Sequence, residues 1–227
     1  VNYFTQFGSG DILLAPSSTS TINVPVSGEQ EFTRRLTGAG NLVKTGQGIL
    51  LLEGEGAAHT GTVEVSAGTL KIGAQDVLGD ASLVRLTGGT LAVNGFAETV
   101  GALDVDGNAV IDLSGGPSSL TFAESSGQTW GATSLTITGF VPGVTSIRFG
   151  TNGSALTLDQ LSKITVNGGA ATLSSTGHLD TALPPEWSST YPKADTLSST
   201  GFTIRVRIPE DGTAYYVIVP DGEGAPS

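Results

Sequence analysis

The sequence predicts an all-β fold, a β-solenoid of the parallel β-helix type with a capped end and a C-terminal β-hairpin or partial sandwich. Three observations predict it. A phrase of glycine, small residue and leucine recurs at Gly48-Ile49-Leu50, Gly68-Thr69-Leu70 and Gly89-Thr90-Leu91, in steps of 20 and 21 residues. A second family of short apolar stretches interleaves with it at Gly40-Asn41-Leu42-Val43, Gly61-Thr62-Val63-Glu64-Val65 and Gly101-Ala102-Leu103-Asp104-Val105, with Ser82-Leu83-Val84-Arg85-Leu86 in the gap. The composition suits short strands and tight turns: 33 glycines and only 14% charged residues among 227, glycine reaching positive φ without steric cost. A period near 20 with two short strands per period is the pattern of a solenoid. A β-sandwich also turns every 8–12 residues, but it has no reason to repeat one phrase.

Within each stretch apolar residues alternate, as in Val63/Val65, Leu70/Ile72, Leu91/Val93 and Leu103/Val105. Alternate residues of a strand face opposite sides, so one side fills a core and the other meets water. Leu50, Leu70 and Leu91 are expected to stack on one face, and Val63, Leu83 and Leu103 on another. A narrow bore takes Leu, Val and Ile better than rings.

Residues 1–37 read as N-terminal strands or a cap, and 38–148 as the repeats. The repeat weakens after Asp112, with strands at Leu120-Thr121-Phe122, Leu135-Thr136-Ile137 and Ile147-Arg148-Phe149. Thr157 to Ile164 predicts a helix. Thr157 and Gln160 form a capping box, and Leu158, Leu161 and Ile164 lie on one side. An open solenoid end must be covered, so 149–177 is expected to be a C-terminal cap. Ser174 to Thr200 carries Pro184, Pro185 and Pro192 among Ser and Thr and reads as a linker. The last part, 178–227, is then linker and hairpin. Phe202 to Ile208 alternates, Pro209-Glu210-Asp211-Gly212 turns, and Ala214 to Val219 returns. A lone hairpin is marginal in water. Its apolar face, Ile204, Val206 and Ile208, needs cover from a longer chain, the solenoid end or a neighbouring subunit.

Formal net charge is −11, and the ten Lys and Arg are dispersed. Such a chain has no phosphate-tracking stripe, so nucleic acid is not an expected partner. No run approaches 18 apolar residues, so no segment reads as a membrane-inserted helix. There is no Cys and no Met, which excludes disulfide and thiolate chemistry. Without an initiator Met, Val1 reads as the start of a mature product or an excised fragment.

His59 and His178, the only histidines, read as solvated loop residues; no G-x-S-x-G elbow accompanies them. Asp104, Asp106, Asn108 and Asp112 space oxygen ligands like the start of a calcium loop, but glycine falls fourth and Gly115 twelfth, against the EF-hand pattern. They read as a turn with outward acids. Glu53, Glu55 and Glu64 raise glycosidase chemistry, which needs a paired acid and base in a cleft. Both Trp residues fall outside the repeat core, so sugar platforms are scarce and these acids read as solvated strand faces. Arg34-Arg35 is a basic spot suited to docking an acidic neighbour, while Arg205 and Arg207 read as edge-protecting charges. No catalytic, cofactor-binding or metal-ligating residue is assigned, no cofactor is expected, and the chain does not read as an enzyme.

The run Gly38-Ala39-Gly40-Asn41-Leu42-Val43-Lys44-Thr45-Gly46-Gln47-Gly48-Ile49-Leu50-Leu51-Leu52, followed by Gly61-Thr62-Val63 and Ala67-Gly68-Thr69-Leu70, resembles the autotransporter-associated β-strand repeat of bacterial surface proteins. Ile147-Arg148-Phe149-Gly150 with Leu156-Thr157-Leu158-Asp159-Gln160-Leu161 is similar to the C-terminal end of such repeat proteins. Together the likeness spans roughly Ser27 to Gly177. It implies a secreted, right-handed β-helical stalk. Pro184-Pro185-Glu186-Trp187, Tyr191-Pro192-Lys193, Gly201-Phe202-Thr203-Ile204 and Glu210 to Gly222 resemble the first half of a bacterial fibronectin type III-like module. The function expected is that of a non-enzymatic extracellular structural protein of the bacterial cell surface: stalk, adhesin or self-assembling fibre subunit. Its expected partners are itself or neighbouring domains, through strand edges or ends, and surface glycans. The alternative is a carbohydrate-binding or polysaccharide-active protein on the same scaffold.

Overall fold

Strands that are apolar on one side bury that side when successive coils of the chain stack. The computed structural model shows this arrangement in the first of two compact units, Val1–Ala182; the second is Leu183–Ser227. The structure describes residues 10–181 and the backbone of 193–198 and 201–205. In chain order the strands are β1 (Ile12–Leu14), β2 (Thr19–Asn23), β3 (Glu29–Gly38), β4 (Asn41–Thr45), β5 (Ile49–His59), β6 (Val63–Val65), β7 (Thr69–Ile72), β8 (Val84–Leu86), β9 (Thr90–Ala92) and β10 (Ala97–Val100). There follow β11 (Leu103–Val105), β12 (Ala109–Asp112), β13 (Ser119–Phe122), β14 (Leu135–Thr138), β15 (Ser146–Phe149), the helix α1 (Leu158–Ser162), β16 (Ile164–Val166), β17 (Gly169–Leu173) and β18 (Leu179–Thr181). The second unit contains β19 (Lys193–Ser198) and β20 (Gly201–Arg205).

The largest sheet has the order β1-β3-β5-β7-β9-β12-β14-β16-β17-β18. It is parallel from β1 through β16. A second parallel sheet has the order β11-β8-β6-β4-β2, and a third, β10-β13-β15, joins later. Neighbours among the parallel strands are non-consecutive in the chain, because each coil visits another sheet before returning. The fold is a β-solenoid.

On the first sheet Leu50 pairs with Leu70, Leu70 with Leu91 and Leu91 with Ile111, and all four are fully buried. The expected rung is therefore present. On the second sheet the inward row is Leu42, Val63, Val84 and Leu103. Leu83, expected in that row, is only half-buried, and Val84 takes its place. A one-residue slip exchanges the two faces of a strand. Val84 and Leu86 inward leave Arg85 outward, whereas the expected register would bury Arg85.

The solenoid also begins earlier than Gly38, since β1, β2 and β3 already pair within the two sheets. Rings do enter the bore where the third sheet lines it. Phe122 and Phe149 face each other on β13 and β15 with centroids 5.0 Å apart and planes at 13°. Trp130, expected outside the repeat core, belongs to it. Corners fall on stacked glycines. Gly46, Gly68 and Gly89 have φ of +73°, +64° and +68°, and a Cβ on Gly68 would lie 2.4 Å from the Gly46 carbonyl oxygen. These positions need glycine for both conformation and close approach.

At the far end β17 and β18 reverse direction and pair antiparallel. The capping box of α1 forms as expected, with the Thr157 side chain bonded to the Gln160 N–H and the Gln160 side chain to the Thr157 N–H. Only part of the expected face turns inward: Leu161 packs against the core and Ile164 is buried in it. Leu158 is 86% exposed and Gln160 is buried. Ile164 lies in β16, past the helix. Gln160 goes inside because its Nε2 donates to the carbonyls of Ser125 (2.9 Å) and Gln128 (2.8 Å), which a leucine would leave unpaired. Residues 179–181, read as linker, are strand.

In the second unit β19 pairs antiparallel with β20, from Lys193 opposite Arg205 to Ser198 opposite Gly201. The strand that begins near Phe202 thus pairs with the residues before it, and Lys193–Ser198 is not linker. Two residues separate the paired ends, the spacing of a tight hairpin. The expected return strand Ala214 to Val219, Val206, Arg207 and Ile208, and the side chain of Arg205, lie outside the described residues.

Candidate functional site

Most of the residues singled out for chemistry are engaged with backbone groups, hydroxyls or charges, many of them on adjacent coils. His59 ends β5 and is buried, not solvated. Its Nε2 lies 2.6 Å from the Gly40 carbonyl oxygen and its Nδ1 2.8 Å from Ser82 Oγ, and Ser82 Oγ donates to the His59 carbonyl at 2.9 Å. The ring thereby ties three successive coils. A Ser–His pair exists, but its second ring nitrogen meets a backbone carbonyl where a triad has a carboxylate. His178 is exposed, as expected, with Nδ1 at 3.2 Å from Thr176 Oγ1.

The four oxygen ligands of the calcium-like spacing are not brought together. Asp104 and Asp106 turn to Arg85, the first at 3.5 Å and the second in close contact. Asn108 Oδ1 accepts from Ser134 N and Oγ, and Asp112 Oδ1 from Ser114 N and Thr138 Oγ1. Among the described residues no group of three or more His, Asp or Glu is placed to hold a metal ion. Glu64 Oε1 accepts from Ser66 Oγ (2.7 Å) and Thr87 Oγ1 (3.2 Å). A hydrogen bond with the Glu31 carboxyl raises the pKa of Glu53, helped by burial and by the charges of Glu31 and Glu29. Of the two arginines at the basic spot, Arg35 pairs with Asp11 at 2.5 Å and Arg34 Nε donates to the Gly10 carbonyl. Both hold the first coil together.

Polar residues that the sequence reading passed over mark the discontinuities of the sheets. Lys44 is fully buried on β4, and its Nζ donates to the carbonyls of Thr45 (2.9 Å), Gly46 (2.7 Å) and Ala67 (3.0 Å). Three donors meet three acceptors at a corner, and burial lowers the ammonium pKa. Alternation from Leu42 pointed Lys44 inward and was the available signal. Beyond β11 the second sheet stops, and side chains complete its edge: Trp130 Nε1 donates to the Leu103 carbonyl (3.1 Å), and the Leu103 N–H donates to Ser125 Oγ (2.9 Å). Glu98 holds a strandless segment at the start of the third sheet. Lys44→Met keeps the bulk of the side chain and strips the Gly46 and Ala67 carbonyls of the ammonium donor, while the Thr45 carbonyl keeps the Val24 N–H. We expect a loss of about 2–4 kcal/mol, since each buried unpaired polar group costs roughly 1–3 kcal/mol and relief of the buried charge offsets part; urea unfolding reads it.

The N-terminal end differs from the capped one. β2 is an edge strand, and the Glu29–Phe32 half of β3 pairs only with β5 among the described residues. Beside them lies a hollow of about 580 Å³ lined by Ile22, Val24, Val26, Phe32 and their neighbours, with Val26 74% exposed. Unpaired strand edges beside an apolar surface are where another strand can add. No helix among the described residues is long and apolar enough to cross a membrane.

The chain is 32% identical over 94 residues to "Uncharacterized protein YuaQ" of Escherichia coli (strain K12). The match covers 40% of this chain and 7% of that relative, so the chain spans a small part of the length of the curated protein it resembles. No family profile and no solved structure matches the chain.

Proposed function

We propose that the chain is a non-enzymatic structural segment of an extracellular bacterial surface protein, serving as stalk, adhesin shaft or fibre subunit. The observation that carries this reading is the succession of parallel strand pairs from β1 to β16 with its largely aliphatic interior. Eight parallel strands at roughly 4.8 Å spacing make a rod segment about 34 Å long. Continuous backbone ladders resist bending, and a stalk needs that stiffness. The resemblance to autotransporter-associated repeats supports the surface location. Strand edges at the N-terminal end offer contacts to neighbouring domains or further copies.

The test joins three measurements on the protein as produced by its own cells and on the purified 227-residue chain. Protease treatment of intact cells is expected to remove the segment, electron microscopy to show rods or fibres, and a glycan panel to show no hydrolysis. Turnover of any glycan overturns the structural reading in favour of a polysaccharide-active protein. Protection from protease in intact cells that disappears on lysis overturns the surface location.

A further inference from the structure

An asparagine followed by glycine can react with itself, because the glycine nitrogen, with no Cβ beside it, can close on the side-chain amide of the residue before. The chain has three such pairs, Asn94-Gly95, Asn152-Gly153 and Asn167-Gly168. Ring closure needs a glycine N–H free to act as nucleophile and an amide nitrogen free to leave. It is helped by donors aimed at the amide oxygen, which gains charge as its carbon turns tetrahedral.

Two of the pairs are tied to neighbouring coils. The Gly95 N–H donates to Ser118 Oγ (2.8 Å), and Asn94 Nδ2 donates to the Ile72 carbonyl (3.2 Å). The Asn167 carboxamide is clamped at both ends by Phe140: Oδ1 accepts from its N–H (3.3 Å) and Nδ2 donates to its carbonyl (2.6 Å). Asn152-Gly153 is arranged otherwise, in the exposed turn between β15 and α1. Asn152 Oδ1 accepts from the Ser154 N–H at 2.8 Å and from Ser154 Oγ at 2.6 Å. The first of these bonds spans Gly153 and folds the side-chain carbonyl back over the Gly153 peptide. Among the described residues neither Asn152 Nδ2 nor the Gly153 N–H has a hydrogen-bond partner. Nucleophile and leaving group are both free, and two donors at hydrogen-bond distance converge on the oxygen that takes the charge.

We propose that Asn152-Gly153 is a self-modifying turn, in which Ser154 cradles the amide oxygen while the Gly153 nitrogen closes a succinimide ring on the side chain. Solvent hydroxide takes the Gly153 N–H proton, and the nitrogen forms a bond to Asn152 Cγ. Oδ1 gains negative charge against the two Ser154 donors. The Cγ–Nδ2 bond breaks as the carbonyl re-forms, and the nitrogen leaves as ammonia with a proton from water, which restores the hydroxide. Water then opens the ring. Breaking the new bond to Cγ leaves aspartate, and breaking the original bond to the Asn152 carbonyl carbon leaves isoaspartate. One water is consumed, one ammonia is released and nothing is oxidised or reduced. Either product puts a new carboxylate directly before Ala155 and Leu156, which are buried, and isoaspartate also lengthens the backbone there by one carbon.

Peptide mapping by mass spectrometry on the 227-residue chain, held folded at mildly alkaline pH and in parallel in urea, tests the proposal. In urea the three pairs are expected to convert at similar rates. In the folded chain the peptide with Asn152 is expected to gain aspartate and isoaspartate while those with Asn94 and Asn167 stay intact. Ser154→Ala keeps the N–H donor and removes the hydroxyl. A hydrogen bond that strengthens by roughly 1 kcal/mol on the charged oxygen makes folded Ser154→Ala convert about fivefold more slowly, with no change in urea. An Asn152 that stays intact in the folded chain, or equal conversion of all three folded pairs, overturns the proposal. So does a folded Ser154→Ala chain that converts as fast as the wild type. Ser154 is exposed, so this variant is expected to fold, and the comparison of the three wild-type pairs stands without it.

Discussion

Leu70→Asp unfolds the coils around β7 at neutral pH. Leu70 is fully buried between Leu50 and Leu91 in the first sheet. Loss of the isobutyl group alone costs about 2–5 kcal/mol, as Leu→Ala changes do. The new carboxylate then finds no partner among aliphatic neighbours and adds several kcal/mol more. The total of roughly 5 kcal/mol or more matches the whole stability of many domains. A solenoid couples each coil mainly to its neighbours, so the damage is expected to be local first. Limited proteolysis should cut near residues 50–90 while the ring-packed coils near Phe122 and Phe149 persist. Lys71→Asp, on the outward side of the same strand, is expected to change stability by no more than about 0.5 kcal/mol. Wild-type melting of the Leu70→Asp chain would sink the assignment of this row as the core.

Much of this core was legible because period 2 within strands and period 20 along the chain agree. The rows through Leu50, Leu70 and Leu91 and through Val63 and Leu103 follow from spacing alone. The misreadings have physical causes. At Leu83-Val84-Arg85-Leu86 two registers compete, and the cost of burying Arg85 decides for Val84. The strand Ala97–Val100 was hidden because its inward residue is Glu98, and a glutamate in a short alternating stretch reads as outward. Leu158 promised an apolar helix face, but the carbonyls of Ser125 and Gln128 needed donors and Gln160 supplies them. His59 read as solvated because its partners, Gly40 and Ser82, are 19 and 23 residues away and only stacking brings them near. Of the candidate site, single-residue chemistry was visible in sequence. What the residues bond to was not, because those bonds run between coils.

The second large effect concerns a glycine whose role is contact with the next coil. Gly54 lies inside β5, opposite Arg35, where β3 bulges and the register shifts. A Cβ there would sit 2.1 Å from the Arg34 carbonyl carbon, 2.2 Å from its oxygen and 2.3 Å from Arg35 N. Ordinary contact begins near 3.4 Å, so in Gly54→Ala the two strands must part by about 1 Å or more. The obstacle is backbone on both sides, and no side chain can rotate to make room. Parting β3 from β5 strains the ladder between them and loosens the ion pair of Arg35 with Asp11 across the first coil. Overpacking a rigid core costs about 1–3 kcal/mol, and each ladder hydrogen bond lost adds roughly 1 kcal/mol, so the expected loss is about 3–5 kcal/mol. Gly127 is the control: a Cβ there meets nothing within 4 Å, and its φ is not left-handed. Gly127→Ala should change stability by about 0.5 kcal/mol at most. Urea unfolding of the two variants side by side reads the difference, and equal midpoints would mean that β3 and β5 do not approach as closely as the bulge requires.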